Sequence, residues 1–168
     1  MQAAPLPDNE AERLAALHAL LILDTPPEER FDRIVQFASS EFDVPIVLIT
    51  LVDAERLWFK SSIGIAVCET SRDTGLCSHA ILHDDIMVIP DTLDDARFAA
   101  NPLVTGDPGI RFYAGAPLAM ASGIRLGTLC LIDRQPRTLD ALELGILGTL
   151  RDLVVMELKG QSPGDGHA

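Results

Sequence analysis

The predicted fold rests on residues 45–62, PIVLITLVDAERLWFKSS. Residues 45–53 form a short run that is rich in β-branched side chains and apolar on both faces, which predicts a central β-strand. After a turn at residues 54–56, the run at 57–62 alternates in polarity and predicts a second strand that pairs with the first as a hairpin. Gly64 is expected to end this second strand. The hairpin therefore predicts an antiparallel sheet at the centre of the domain.

Two helices are predicted before this hairpin. Asn9 and Glu12 have the spacing of a capping box, and leucines follow at a helical period, which predicts a first helix over residues 9–23. Thr25 stands before two prolines and is expected to cap a second helix, whose apolar stripe reaches Phe42. Both helices have one apolar side, so we expect them to pack on the sheet.

Three more strands are predicted downstream, at residues 86–91, 110–118 and 125–133. The last two are joined through Gly123, which favours a hairpin. A short helix is predicted over residues 76–82, and Thr138 is expected to cap a final helix that reaches Leu158. Residues 92–109 lack periodicity and form a long loop, and loops of this length inside a compact domain are usually functional.

This order of elements predicts an α+β domain. It contains an antiparallel sheet of five or six strands, with the long first and last helices on one face and the short helix and long loop on the other. One domain is expected over residues 9–159, between a flexible N-terminus of residues 1–8 and a disordered tail of residues 160–168.

The composition argues against several classes of protein. A formal net charge of −12 disfavours binding to nucleic acid or to anionic membranes. The longest apolar run, residues 45–52, is far shorter than the roughly 20 residues of a membrane-spanning helix. The N-terminus does not resemble a signal peptide, and three cysteines are few for a secreted disulfide scaffold. We therefore expect a soluble cytoplasmic protein with no nucleic-acid or membrane partner.

Six segments together resemble the GAF domain, in the subgroup found in bacterial sensor histidine kinases and diguanylate cyclases. They are LDTPPEERFDRI, VDAERLWFKSSIG, TGLCSHAIL, VIPDTLDDARFAANPLV, IRFYAGAPL and GTLCLIDRQPRTL, in this order along the chain. The resemblance implies a non-enzymatic sensory or regulatory module in bacterial signal transduction. Such a module binds a small molecule, mediates dimerisation, or does both, and acts on a signalling output protein. The sequence identifies neither the ligand nor any cofactor.

The resemblance also implies an alternative, because some GAF proteins reduce free methionine sulfoxide with cysteines in this part of the fold. Cys68 and Cys77 would be the thiols of such a redox enzyme. The enzymes use a further cysteine in the loop after the next strand, where this chain has Asp94 and Asp95. Buried, unreactive thiols are the favoured interpretation, since reactive cysteines need an accessible, electropositive setting.

A metal site is the other chemistry to weigh at residues 74–85, TGLCSHAILHDD. His79 and His83 are four residues apart and would share one face of a helix, as in helical zinc sites. Cys77 would lie about 200° around the helix from His79 and would point away from it. Because zinc needs three or four ligands, structural histidines are favoured and no metal is predicted.

A small-molecule pocket is predicted beneath the short helix and the long loop. In the strand at 110–118, alternate residues are uniformly apolar and should face the long helices, which leaves Arg111 and Tyr113 on the other face. A solvated sheet edge is the alternative interpretation. The candidate ligand-binding residues combine apolar and polar side chains on this face and its cover. They are Trp58, Lys60, Cys77, His79, Asp91, Phe98, Asn101, Arg111 and Tyr113.

A homodimer is predicted because the final helix has more apolar residues than one sheet face can cover. A twofold-related copy would cover the excess, and twofold dimers are the most common homo-oligomers. The alternative is a monomer in which the first two helices cover the last one. The residues expected at the dimer interface are Leu14, Leu17, Leu147, Leu150, Leu153 and Val154.

Overall fold

The computed structural model describes residues 1–120 and 123–160. Helices α1 (Glu10–Ala19) and α2 (Glu29–Phe42) precede strands β1 (Ile46–Val52), β2 (Arg56–Ile63) and β3 (Glu69–Ser71). Helix α3 (Cys77–Ala80), strand β4 (Met87–Ile89), a 3₁₀ turn (Thr92–Asp94) and helix α4 (Pro102–Thr105) follow. Strands β5 (Phe112–Ala119) and β6 (Arg125–Asp133) and helix α5 (Ala141–Leu158) complete the order.

The six strands form one antiparallel sheet in the order β3-β2-β1-β6-β5-β4. β1 lies near the centre and is buried along its whole length, as its two-sided apolar run predicts. The predicted α+β fold is confirmed. β3 is the one described strand with no sequence prediction, because its three residues are polar and only its pairing with β2 defines it.

Each face of the sheet carries its own core. Phe112, Ala114 and Leu118 of β5 pack with α2 and α5 on one face, as their alternation predicts. Tyr113 lies on the other face, in a second core beneath α3. Ile110 also belongs to this second core, so its predicted place with the long helices was wrong. β5 begins only at Phe112, and the alternation of the strand therefore does not extend back to Ile110.

A β-bulge in β2 changes which face its side chains reach. Ile49 pairs with Ser61 and Thr50 pairs with Phe59, so Lys60 is the extra residue. Lys60 and Ser61 consequently both point toward α2, where the Ser61 hydroxyl donates to Asp32 at 2.5 Å. Phe59 points to the opposite core.

Several helix ends differ from their predictions. α1 ends at Ala19 rather than residue 23, since Leu21 has a positive φ of 54°. α2 is preceded by Glu28, whereas Thr25 lies outside the helix. Asp140 caps α5 through a reciprocal capping box with Glu143, rather than Thr138.

Two predictions concern the ends of the chain: a flexible segment at residues 1–8 and a disordered tail at residues 160–168. Residues 1–8 form no helix or strand, although the Gln2 backbone N–H donates to the Arg97 carbonyl at 3.1 Å. The predicted tail lies outside the described residues except for Gly160, and the centre of the predicted turn before Gly123 lies outside them too. Within residues 1–120 and 123–160, no helix combines the length and the apolar content needed to cross a bilayer.

Candidate functional site

A small cavity lies between the sheet and its cover, which consists of α3 and the segment at residues 103–110. Its volume is about 40 Å³. Most lining side chains are aliphatic or aromatic, and they come from the strands and from the cover. They are Ile46, Leu48, Leu57, Phe59, Ile65, Thr70, Gly75, Leu76, Cys77, Leu103, Pro108, Ile110, Tyr113 and Ile132. None of these fourteen residues carries a charge, so the cavity suits a small uncharged molecule.

Three predicted site residues build the cover rather than line the cavity. The His79 ring packs edge-on against Phe98, with 4.8 Å between ring centroids, and its Nε2 lies 2.9 Å from the Gln2 carbonyl oxygen. Burial lowers the pKa of His79, so the neutral ring is favoured there. Asn101 caps α4, and its side-chain amide donates to the Thr74 carbonyl at 2.8 Å. These contacts hold the loop against α3.

Asp91 and Arg111 form an ion pair outside the cavity. Two parallel hydrogen bonds of 2.9 Å join the guanidinium to the carboxylate. The hydrogen bond from Arg111 lowers the pKa of Asp91. Asp91 also accepts from the Leu93 backbone N–H at 3.1 Å, so the pair fixes the start of the long loop at the edge of the sheet.

Trp58 and Lys60 lie on the opposite face of the sheet, so their predicted position at the cavity was wrong. Trp58 packs in the core of the long helices. The Lys60 ammonium is buried among Thr25, Pro26 and Glu28, with contacts of 2.7 to 2.8 Å. Alternation puts Trp58 and Lys60 on the helix side, since Leu57 and Phe59 line the cavity. Because of the bulge at Lys60, the next residue, Ser61, also points to the helix side.

The polar part of the cavity wall is a buried cluster around the Cys77 thiol. The Thr128 and Tyr113 hydroxyls donate to Cys77 Sγ at 3.1 and 3.2 Å, and Cys130 Sγ lies 3.9 Å away. Hydrogen bonding from Cys130, Thr128 and Tyr113 outweighs burial and lowers the pKa of Cys77. Burial raises the pKa of Cys130 and that of Tyr113. Thr128 and Cys130 were not among the predicted ligand-binding residues. Both lie on the cavity face of β6, whereas Leu129 between them packs on the opposite face.

Comparison with known proteins assigns the chain to a family. Residues 26–158 match the GAF domain. The chain belongs to the GAF family. A cyclic di-GMP phosphodiesterase from Pseudomonas aeruginosa is 44% identical to it over 137 residues. That match covers 82% of this chain but only 23% of the relative, so the chain corresponds to less than a quarter of that enzyme's length.

Solved structures share the GAF fold at low sequence identity. A type II free methionine-R-sulfoxide reductase from Thermoplasma acidophilum superposes with a TM-score of 0.64 at 16% identity, over 78% of this chain and 91% of that one. The GAF domain of an Acinetobacter phosphoenolpyruvate-protein phosphotransferase gives a TM-score of 0.62 at 18% identity, over 94% and 98%. At these identities the likeness shows the fold alone.

The remaining candidate ligands of this GAF domain are dispersed. α3 ends at Ala80, so His79 and His83 do not share a helix face, and His83 is exposed. Cys68 is exposed in the connection between β2 and β3. No group of three or more His, Cys, Asp or Glu side chains within the described part of the chain is placed to hold a metal ion.

Four of the residues predicted at a dimer interface belong to the GAF domain's own core. Leu17, Leu147, Leu150 and Val154 are buried in the single chain, so their predicted place at an interface was wrong. They form the stripe of α1 and α5 that packs on the sheet and α2. Leu14 is half-buried and Leu153 is exposed.

Proposed function

We propose that this GAF domain is a non-enzymatic sensory module of a bacterial signalling protein. It binds a small, mainly apolar molecule beneath α3 and pairs with a second copy through α5. The observation that carries the proposal is a charge-free cavity closed by a separate short helix. The 44% identity to part of a cyclic di-GMP phosphodiesterase supports a place in signalling, because the likeness extends over one domain of a longer protein.

The size of the cavity restricts what it binds without rearrangement. Pockets for drug-sized ligands measure roughly 300–1,000 Å³, whereas a single water needs roughly 10–15 Å³. At about 40 Å³, the cavity accommodates a molecule of only a few heavy atoms. A larger ligand must displace α3 or the segment that carries Leu103 and Pro108.

Side-chain hydrogen bonds attach both ends of α3 to the rest of the domain. α3 has only four residues, and its start is attached by the Ser78 hydroxyl, which donates to the Arg72 carbonyl at 2.7 Å. Its end is attached by Arg125, whose guanidinium donates to the Ile81 carbonyl at 2.6 Å. Cys77, His79 and Asn101 also bind neighbouring segments, so a ligand larger than the cavity must break some of these contacts to shift the cover.

The cavity is tested by NMR titration of the ¹⁵N-labelled protein with benzene and with indole, two apolar probes of different size. We expect saturable shifts at the amides of Cys77 and Tyr113. Leu103→Trp should abolish them, because the larger side chain fills the cavity. Leu93→Trp is the matched control, since Leu93 lies in the same loop but is exposed. Absence of saturable shifts with both probes would contradict the binding proposal.

The dimer proposal rests on a second apolar stripe on α5. Its residues are spaced by four, three, four and three positions, which is the heptad spacing of a coiled-coil seam. The stripe lies roughly 120° around the helix from the buried one, at about 100° per residue. It consists of Leu142, Ile146, Thr149, Leu153 and Met156. Leu142 is 73% exposed, and exposed Phe37 of α2 extends the same apolar groove.

Light scattering at micromolar concentration tests this pairing. The wild-type mass should be twice 18.1 kDa, and Leu153→Glu should reduce it to one chain without unfolding the domain. Leu93→Glu is the control, because Leu93 is similarly exposed but lies in the long loop. A wild-type mass of one chain, or a Leu153→Glu variant that stays dimeric, would contradict the proposed seam.

A redox enzyme of the free methionine sulfoxide reductase type is the second candidate. The lowered pKa of Cys77 at the cavity wall favours it. Against it, the Cys77 thiol contacts Cys130, whereas Cys68 is exposed on a separate connection. A thioredoxin-coupled assay on free methionine sulfoxide distinguishes the two functions. Turnover that is lost in both Cys77→Ser and Cys68→Ser would replace the sensory proposal.

A further inference from the structure

Two of the three cysteines form a buried pair that no function above uses. Cys77 begins α3 and Cys130 lies in the middle of β6, 53 residues further along the chain. Their sulfur atoms are 3.9 Å apart, and both side chains are almost wholly inaccessible to solvent. Cys77 is nevertheless one of the residues that line the cavity, so a molecule that enters the cavity comes close to it.

The surroundings of the pair favour a thiolate at Cys77. Three groups can donate a hydrogen bond to its sulfur once it is deprotonated: the Thr128 hydroxyl, the Tyr113 hydroxyl and the Cys130 thiol. The buried Thr50 hydroxyl has no partner of ordinary hydrogen-bond geometry among the described residues, yet it lies close enough to help lower the pKa of Cys77. Four polar groups thus surround one sulfur in an otherwise apolar core.

We propose that Cys77 and Cys130 are an oxidisable dithiol, which a small hydroperoxide converts into an intramolecular disulfide. Cys77 is the attacking residue, because it lines the cavity and its sulfur receives the hydrogen bonds. Cys130 is the resolving residue, because its sulfur lies beside that of Cys77 and away from the cavity lining. Cys68 is not required.

The reaction balances in two steps with hydrogen peroxide as the oxidant. The Cys77 thiolate attacks one peroxide oxygen, the O–O bond breaks, and the departing hydroxide takes up a proton as water, which leaves a sulfenic acid on Cys77. The Cys130 thiol then attacks that sulfur, the S–O bond breaks, and the second oxygen leaves as water. Two thiols are oxidised to one disulfide, and one peroxide is reduced to two waters.

Disulfide formation would fasten the cover to the sheet. The two sulfurs must approach from 3.9 Å to about 2.05 Å. Cys130 is held in a central strand that pairs with β1 and β5 on its two sides, so α3 is the element that moves. The bond would then hold α3 against the cavity and restrict entry to it.

The experiment compares wild-type protein with Cys68→Ser, Cys77→Ser and Cys130→Ala after treatment with a few equivalents of hydrogen peroxide. Intact mass and peptide mapping under non-reducing conditions are the measurements. Wild type and Cys68→Ser should each lose the mass of two hydrogens, with residues 77 and 130 cross-linked, and dithiothreitol should reverse the change. The urea midpoint should rise on oxidation of Cys68→Ser, because a cross-link restricts the unfolded chain.

The variants separate this mechanism from ordinary thiol oxidation. Cys130→Ala should give no intramolecular disulfide, and its Cys77 sulfenic acid should be trapped by dimedone. A cross-link that joins Cys68 to Cys77, or a wild-type protein that is oxidised at Cys68 alone, would overturn the proposal. The measurement uses protein without any cavity ligand, so its result does not depend on the proposed sensory function.

Discussion

Replacement of Glu10 by Gln should cost the domain about 3 kcal/mol of stability at neutral pH. Glu10 lies in the first turn of α1 and accepts hydrogen bonds from two buried guanidinium groups. Arg13 donates to it at 2.9 and 3.1 Å, and Arg72 donates to it at 3.1 Å through Nη2. The two arginines also donate to the Val52 and Asp53 carbonyls at 2.7 and 3.0 Å. Glu10 is thus the carboxylate that both buried cations share.

Two estimates of the magnitude agree. Burial by itself raises the pKa of Glu10. Hydrogen bonds and charges from Arg72 and Arg13 outweigh this effect and lower the pKa from its usual 4.5 to about 2. That difference corresponds to about 3 kcal/mol, and solvent screening makes this an upper value because the side chain is 15% exposed. Removal of one partner from a buried ion pair independently costs about 3–5 kcal/mol, since it leaves an uncompensated charge.

Urea unfolding followed by circular dichroism measures the loss. With a slope of about 2 kcal/mol per molar, Glu10→Gln should lower the midpoint by about 1.5 M. The folded-state pKa lies below the unfolded one, so this stabilisation is complete above pH 4.5 and disappears as the pH falls toward about 2. The difference between wild type and variant should therefore shrink over that window.

Glu29→Gln is the matched control, because Glu29 pairs with Arg33 at 3.7 Å on the surface and both side chains are mostly exposed. Its effect should stay below about 0.5 kcal/mol. The reasoning is refuted if Glu10→Gln lies within about 1 kcal/mol of wild type, or if the difference between them persists unchanged down to pH 2.

Four further predictions concern the sheet, helix α5 and the cover. Gly127→Ala should destabilise the domain by about 3 kcal/mol or more, because the added Cβ would lie 1.8 Å from the Thr50 carbonyl oxygen. Gly148→Ala, whose Cβ meets only Arg151 at 3.6 Å, should instead stabilise it by up to about 1 kcal/mol. Thr50→Val should raise the urea midpoint, because it removes a buried hydroxyl without a described partner, at a gain of about 1 kcal/mol. His79 has a lowered pKa in the folded state, so its protonation should destabilise the domain as the pH falls below 6.5, and His79→Gln should remove this dependence in urea titrations at pH 7 and 5.5. An unchanged midpoint in Gly127→Ala or Thr50→Val, or a pH dependence that survives in His79→Gln, would contradict the corresponding prediction.

The sheet could be predicted because its strands carry local signals. The β-branched run of β1 and the strict alternation of β5 leave little choice of structure or face. β3 has no such signal, because a run of Glu, Thr and Ser becomes a strand only through its partner β2. Position along the chain, likewise, does not distinguish Thr138 from Asp140 as the cap of α5, since both residue types favour that role.

The site was less predictable, because it depends on contacts between distant segments. Cys77 and Tyr113 line the cavity, whereas Trp58 and Lys60 face the long helices, because the two faces of the β2 alternation were assigned the wrong way round. The bulge at Lys60, which no periodicity marks, turns Ser61 to the helix side as well. The pairing of Cys77 with Cys130 brings together residues 53 positions apart. A sequence pattern predicts which face of a strand a residue occupies, but it does not predict which residues from other segments lie beside it on that face.

Arg72 connects the cover of the cavity to the helices on the other face of the sheet. Its guanidinium binds Glu10 of α1, and its backbone carbonyl accepts the hydroxyl of Ser78 in α3. The sheet between them is paired on both sides of β1. Arg72 thus binds both Ser78 and Glu10, and the Glu10 carboxylate also accepts from Arg13. α1 precedes the residues that match the GAF family, which begin at residue 26. The contact at Glu10 therefore joins the segment that holds the cavity cover to a helix that precedes the matched residues.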